Sequence, residues 1–230
     1  MRLREGLVFV ADTRTNAGVD HLATFRKMHI FERRGERSIV LLTSGNLASA
    51  QSVISHLCER VQNDDEINLY TVGSMFDAAT LVGDTIMEVI TRSSSGQQTG
   101  GVDFGLNVLL GGQIAGERPR LFHVYPQGNF IEATEDTPYF QIGEVKYGKP
   151  IIDRIIKYDT DISQATKCTL ISFDSTIRSN LSVGMPLDLA TYREDSFELQ
   201  VQRIAENDDY FLSLRQAWGS GLRKIFEQLP

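Results

Sequence analysis

The distribution of apolar residues predicts an α+β fold in which two antiparallel sheets pack together and helix pairs cover each outer face. Two observations carry this. Apolar, β-favouring runs and amphipathic helical windows come in clusters: strands, two helices, strands, two helices, strands, one helix. Clustering of this kind disfavours a doubly wound parallel sheet, whose strands and helices alternate. The strand-like runs are also short and bounded by turn residues, as expected for antiparallel hairpins.

Leu7-Val8-Phe9-Val10-Ala11 reads as the first strand, ended by Asp12-Thr13-Arg14. Thr15-Asn16-Ala17-Gly18 reads as a turn, Phe25 to Phe31 as a second strand, and Ser38–Thr43 as a third, fully buried one. Ser44-Gly45-Asn46 turns into a helix in which Leu47, Ala50, Val53, Ile54, Leu57, Cys58 and Val61 recur at helical spacing, with Asn46 or Ser44 as its cap. A second helix is predicted over about Met75–Thr91, followed by a polar loop from Ser93 to Gly101. Strands are expected at Asp103–Leu110, Arg120–Tyr125, Phe130–Ala133 and Tyr139–Ile142, with Pro126-Gln127-Gly128-Asn129 as a hairpin turn. Helices follow at Ile151–Ile156 and Asp161–Ser172, then strands at Pro186–Tyr192 and Phe197–Ile204. A charged amphipathic helix from Asp208 to Leu229 closes the chain, its middle weakened by Gly219 and Gly221. No internal repeat and no linker divides these elements, so one domain is expected over residues 1–230.

A chain of 230 residues can bury a substantial core without disulfides or metals. Its formal net charge of -7 argues against nucleic acid as a partner, because phosphate binding needs a basic surface. Cys58 and Cys168 form no CxxC pair and no cluster with histidine at zinc spacing; free thiols in a reducing cytosol are expected. No apolar run approaches the roughly 18 residues of a membrane helix, and Met1–Gly6 lacks the apolar core of a signal peptide. A cytoplasmic protein with no membrane partner is expected. Walker A, H-E-x-x-H, G-x-S-x-G and post-strand G-x-G-x-x-G motifs do not occur, and His21, His29, His56 and His123 are scattered. Neither a metal nor another cofactor is called for.

Three motifs carry a resemblance. Ala11-Asp12-Thr13-Arg14-Thr15-Asn16-Ala17-Gly18 resembles the proteasome β-type motif (A/S)D(S/T)R…G, and Phe25-Arg26-Lys27-Met28 supplies the family's lysine at close to its usual distance. Leu42-Thr43-Ser44-Gly45-Asn46 is similar to the proteasomal turn before a helix. Within that superfamily, DTRTNAGVDHLATFRKM and FDSTIRSNLSVGMPLDL resemble Anbu, the ancestral β-subunit family. The resemblance implies the four-layer αββα sandwich of N-terminal-nucleophile hydrolases. It implies a threonine-type peptidase or amidase in which a lysine lowers the pKa of an N-terminal hydroxyl, an aspartate orients the lysine, and a backbone N–H stabilises the oxyanion.

Carried over, Asp12 orients the lysine, Lys27 is the electrostatic activator and Gly45 gives the oxyanion N–H. Arg14, Thr15 and Asn16 line the cleft and pair with an extended peptide or protein substrate. The supporting polar cluster falls at Asp174, Ser179 and Ser182, and at Ile142-Gly143-Glu144, where glutamate stands in place of a serine. Read without the resemblance, Asp12 is a turn or cap residue and Lys27 an outward lysine on a half-exposed strand. Gly45 is then a turn glycine, and Asp174 and the serines cap a helix end. The family also implies self-association into an open ring or short helical assembly.

The family's nucleophile precedes this Met1 by one short strand, about five residues. Two readings follow. The true start lies upstream and exposes a threonine or serine, or the protein is a non-catalytic scaffold subunit that has kept the supporting groups.

Overall fold

The computed structural model describes residues 1–16, 22–94 and 103–230. Eleven strands and five helices occur among them. The first sheet contains β1 (Arg2–Leu3), β2 (Gly6–Asp12), β10 (Leu187–Arg193) and β11 (Leu199–Ile204), in the order β1-β2-β10-β11. The second contains β5 (Met28–Arg33), β6 (Arg37–Gly45), β7 (Leu106–Ile114), β8 (Arg120–Val124) and β9 (Phe130–Glu132), in sequence order. All of their pairings are antiparallel. A separate two-stranded ladder joins β3 (Arg14–Asn16) to β4 (Leu22–Thr24).

The period-2 alternation of β2 sorts its side chains between two layers. Leu7, Phe9 and Ala11 face the second sheet and meet Met28, Val40, Leu42, Leu109 and Leu121. Val8 and Val10 face the other way, towards α3 (Lys149–Ile155), α4 (Ile162–Ser179) and α5 (Asp209–Phe226). On β6, Val40 and Leu42 point between the sheets, while Ile39 and Leu41 pack under α1 (Leu47–Gln62) and α2 (Met75–Ser94). The result is the predicted helix–sheet–sheet–helix sandwich, with one core between the sheets and one beneath each helical layer. Each fully buried Leu, Val or Phe contributes about 1.5–3 kcal/mol, so shifting β2 by one residue would forfeit two layers at once.

Helix starts follow from local chemistry. Asn46 caps α1 by accepting from the Ser49 amide at 3.1 Å, Asp161 caps α4 through Gln164, and Asp208 caps α5 through Phe211.

Several predicted boundaries shift. The strand expected from Phe25 begins at Met28, because Phe25 instead donates its amide to the Thr13 carbonyl at 2.8 Å and closes the hairpin. The strand expected from Asp103 begins at Leu106, since Gly105 N–H bonds the Asp103 carboxylate in a local turn. Thr15 and Asn16 form β3 rather than a turn, whereas Ala17 and Gly18 lie outside the described residues. α2 runs on to Ser94; most of the predicted polar loop after it is likewise not described. α4 continues to Ser179, past Ser172, because Asp174 and Thr176 are buried on the same face as Cys168 and Ile171. Gly219 and Gly221 do not interrupt α5.

The segment Tyr139–Ile142, predicted as a strand, forms no regular secondary structure. Its apolar residues are bought by packing instead: Tyr139 lies against the helical layer, and Phe140 and Ile142 pack into the inter-sheet core. Upstream of it, Pro138 accepts the Arg2 amide at 2.7 Å, so this segment flanks β1 on the side away from β2.

Candidate active site

Asp12 is the last residue of β2 and lines a large cavity. Its side chain is nearly buried, yet three donors satisfy it. Oδ1 accepts from Lys27 Nζ at 2.7 Å, and Oδ2 accepts from the backbone amides of Arg14 and Gly184, each at 3.2 Å. The β3–β4 ladder makes the first of these contacts possible. It pairs Arg14 with Thr24 and so folds the chain back until Lys27 stands beside Asp12, fifteen residues earlier. The Lys27 carbonyl accepts from Thr43 at 2.9 Å, which fixes the lysine backbone at the start of β5. Both side chains are largely removed from water, with 24% of the lysine and 10% of the aspartate side chain exposed. A lysine in such a place is costly unless paired, and here it is paired.

The pair opens on a cavity of about 790 Å³. Thr43, Ser44 and Gly45 at the end of β6 form one wall, α1 residues such as Leu47 and Gln51 a second, and Phe140–Glu144 a third. Gly45 has φ +126°, and a Cβ there would collide with the Gly105 carbonyl, so both backbone angle and space demand glycine. His29 lines the same cavity; burial, then the nearby Arg26 cation, lowers its pKa, so its ring is neutral at physiological pH.

The matches to known proteins agree with this geometry. The family model for proteasome subunits matches residues 1–191. Anbu from Yersinia bercovieri superposes with a TM-score of 0.95 at 58% identity, covering 100% of this chain and 96% of that one. The chain belongs to the proteasome family, in its Anbu group. Anbu from Hyphomicrobium sp. strain MC1 gives a TM-score of 0.91 at 51% identity, covering 100% of this chain and 96% of that chain. A structure described as the helical assembly of the Anbu complex from Pseudomonas aeruginosa gives 0.96 at 52%, covering 100% and 95%. No curated protein matched significantly.

The sandwich expected from the Anbu resemblance is therefore the observed fold. The individual site residues separate into two groups. Asp12, Lys27, Arg14, Thr15, Gly45 and Ser182 all line the cavity. Arg14 reaches the Leu181 carbonyl at 3.2 Å, and its guanidinium lies so close over Gly184 that a Cβ there would strike it. Thr15 Oγ1 is buried without a hydrogen-bond partner among the described residues. Asn16 pairs through its backbone with Leu22 in the β3–β4 ladder.

Asp174 and Ser179 lie elsewhere. Asp174 is buried on α4 and binds Arg215 of α5 at 2.6 Å and Arg178 at 3.1 Å, which ties the last helix to the body. Ser179 is the exposed final residue of α4. Ser182 belongs to a small polar relay: its hydroxyl and amide both donate to Asn180 Oδ1, and Asn180 Nδ2 donates to Glu144 at 2.9 Å. The Glu144 carboxyl is held below the usual range, first by the Lys146 amide and also by Asn180. The segment from Asn180 to Gly184 thus connects Glu144 at one end to Asp12 at the other. Sequence reasoning missed Gly184, whose amide completes the Asp12 cradle. The available signal was a glycine just before Met185-Pro186, where a turn must lead the chain into β10.

Proposed function

We propose that this chain is a proteasome-type threonine peptidase or amidase whose nucleophile stands on residues that continue β1 ahead of Met1. The observation that carries this reading is the Asp12–Lys27 pair, set on a cavity at the end of the β2 edge that β1 leaves free beyond Val8. Among the described residues, β1 pairs with β2 only as far as Val8, where the Met1 and Val8 backbones bond reciprocally. Continued in the same register, successive upstream residues stand opposite Phe9, Val10, Ala11 and Asp12. The fourth residue before Met1 then faces Asp12, and the fifth stands at the cavity mouth beside the pair. The segment Phe140–Ile142 flanks that path as Pro138 flanks Arg2.

The chemistry suits a hydroxyl at that point. Attack of the hydroxyl oxygen on a peptide carbonyl forms a tetrahedral adduct, and its proton passes to the nucleophile's own α-amine. Lys27, held charged-side-inward by Asp12, stabilises the developing alkoxide. The Gly45 N–H faces the oxyanion. Collapse transfers the proton to the departing amine and leaves an ester, which water hydrolyses to release the acid and restore the hydroxyl. Arg14, Thr15 and Asn16 hold an extended substrate as an added strand. No cofactor takes part. The Pseudomonas aeruginosa relative forms a helical assembly, and at 52% identity this chain is proposed to self-associate in a similar open form, in the cytoplasm.

The test uses protein purified from its native host. Intact mass and N-terminal sequencing identify the first residue, and an epoxyketone directed at N-terminal threonine should then add once per chain. Lys27→Ala should slow that labelling at least a hundredfold with the fold unchanged. A first residue without a nucleophilic side chain, or no adduct on the native protein, overturns the peptidase reading and leaves the scaffold subunit.

A further inference from the structure

We propose that a second, smaller pocket at the foot of β1 binds a phosphate group, free or as a monoester. The pocket has a volume of about 190 Å³ and is lined by Arg2, Arg4, Arg118, Pro119, Tyr158 and Glu194. β1 therefore runs between two cavities, with Met1 on the wall of the large one and Arg2 and Arg4 on the wall of the small one.

Three arginines and one glutamate line it. Nine of the seventeen arginines have an ion-pair partner among the described residues: Arg120 pairs with Glu132 at 2.7 Å, Arg215 with Asp174, and the neighbouring Arg193 with Glu5. Arg2, Arg4 and Arg118 have no ion-pair partner within 4 Å among the described residues, and Glu194 pairs with none of them. Like charges gathered without partners repel, so the cluster is unfavourable unless an anion joins it. The chain as a whole carries a net charge of -7, so its overall field does not collect anions; attraction at this place is local.

Arg2 is fixed for the task. Its Nε donates to the Pro119 carbonyl at 3.2 Å, and its guanidinium carbon lies 5.1 Å from the centre of the Tyr158 ring. Stacking and one hydrogen bond set the plane of the group while leaving its terminal nitrogens available. The Arg4 amide donates to the Tyr158 carbonyl at 2.8 Å, which anchors the second arginine's backbone on the same wall. Three separate planar donors match the several oxygens of a tetrahedral phosphate better than the two of a carboxylate, and the volume of about 190 Å³ admits a phosphate group with room for a small ester substituent.

Phosphorus NMR and titration calorimetry on the native protein, at constant ionic strength, test this with inorganic phosphate and glycerol phosphate. Both should bind the wild type. The double variant Arg4→Ala/Arg118→Ala removes two exposed side chains that make no side-chain hydrogen bond or ion pair among the described residues, so it should fold normally and bind at least tenfold more weakly. A preference for glycerol phosphate marks an esterified ligand, and a preference for inorganic phosphate marks the free ion. In amide exchange, phosphate should slow the Arg2 and Arg4 amides in the wild type only. Equal affinity in wild type and double variant, absence of binding, or displacement by chloride at equal concentration overturns the site. The readout is binding, so it does not depend on whether the large cavity hydrolyses amides.

Discussion

A chain that starts at Met1 should lose stability on mild acidification, whereas one that continues upstream should not. The Met1 nitrogen is buried, with the Val8 carbonyl at 2.6 Å as its partner and no ion pair to a carboxylate among the described residues. Burial pushes the pKa of a free amine there from 8.0 down to about 5. In the unfolded chain the amine binds its proton near pH 8, and in the folded chain only near pH 5. Between these values the unfolded state holds more protons, so stability falls as pH drops through the window and is flat below it. Three pH units at about 1.4 kcal/mol each amount to about 4 kcal/mol. Fraying of β1 does not offer a cheaper escape. It would expose Leu3 and the Met1 side chain, at about 1.5–3 kcal/mol each, and break the Arg2–Pro138 hydrogen bond. If the Met1 nitrogen is a peptide amide, this penalty vanishes, because an amide is satisfied by the single carbonyl. Urea unfolding of the two forms, stepped from pH 8 to pH 5, measures the difference directly. His29 and His123, whose pKa values burial also lowers, contribute equally to both forms and cancel. Parallel stability curves would refute the reasoning.

Other perturbations give equally definite outcomes. Gly45→Ala should destabilise by about 2 kcal/mol or more in thermal unfolding, since φ +126° and the Gly105 carbonyl both exclude a side chain. Asp174→Ala should cost about 2 kcal/mol and loosen α5, read as faster amide exchange beyond Phe211; Arg178 and Arg215 are partly exposed and can recover water, which keeps the cost below that of a fully buried pair. Phe226→Asp should shift sedimentation towards the monomer with an unchanged Tm, because Phe226 is 76% exposed on α5 beside Leu222 and Ile225. Cys168 should resist thiol reagents until unfolding, since burial pushes its pKa to about 11.

Much of the fold was written in short-range patterns. The alternation of Leu7 to Ala11 and the helical spacing of Leu47 to Val61 each identify a face, and each face found its layer. The errors occur where a neighbour distant in sequence decides the outcome. Tyr139–Ile142 alternates like a strand, but a strand is defined by its partner's hydrogen bonds, and no local pattern supplies a partner. Asp174 resembles a helix-end cap; only the docking of α5, some forty residues later, makes it the counter-ion of Arg215.

The site shows the same division more sharply. Lys27 between Phe25 and Met28 reads locally as an outward lysine, and Asp12 after an apolar strand reads as a cap. Their meaning depends on a hairpin that brings them to 2.7 Å, and only a family resemblance could have announced it. The polar relay from Glu144 through Asn180 to Ser182 was half legible: Glu144 and Ser182 were named, but not Asn180, which joins them. The structure adds the reason they matter to Asp12. Gly184, at the end of the same turn, donates to the aspartate that holds the lysine. A change at Glu144 can therefore reach the pair through the Asn180 side chain and the backbone that runs from it to Gly184. Mutating Glu144 to Gln should test whether that turn positions the aspartate: the neutral amide keeps the shape but weakens the bond from Asn180. If the turn acts through Asp12, Glu144→Gln slows epoxyketone labelling while leaving thermal stability unchanged, and equal labelling rates would show that the relay and the pair are independent.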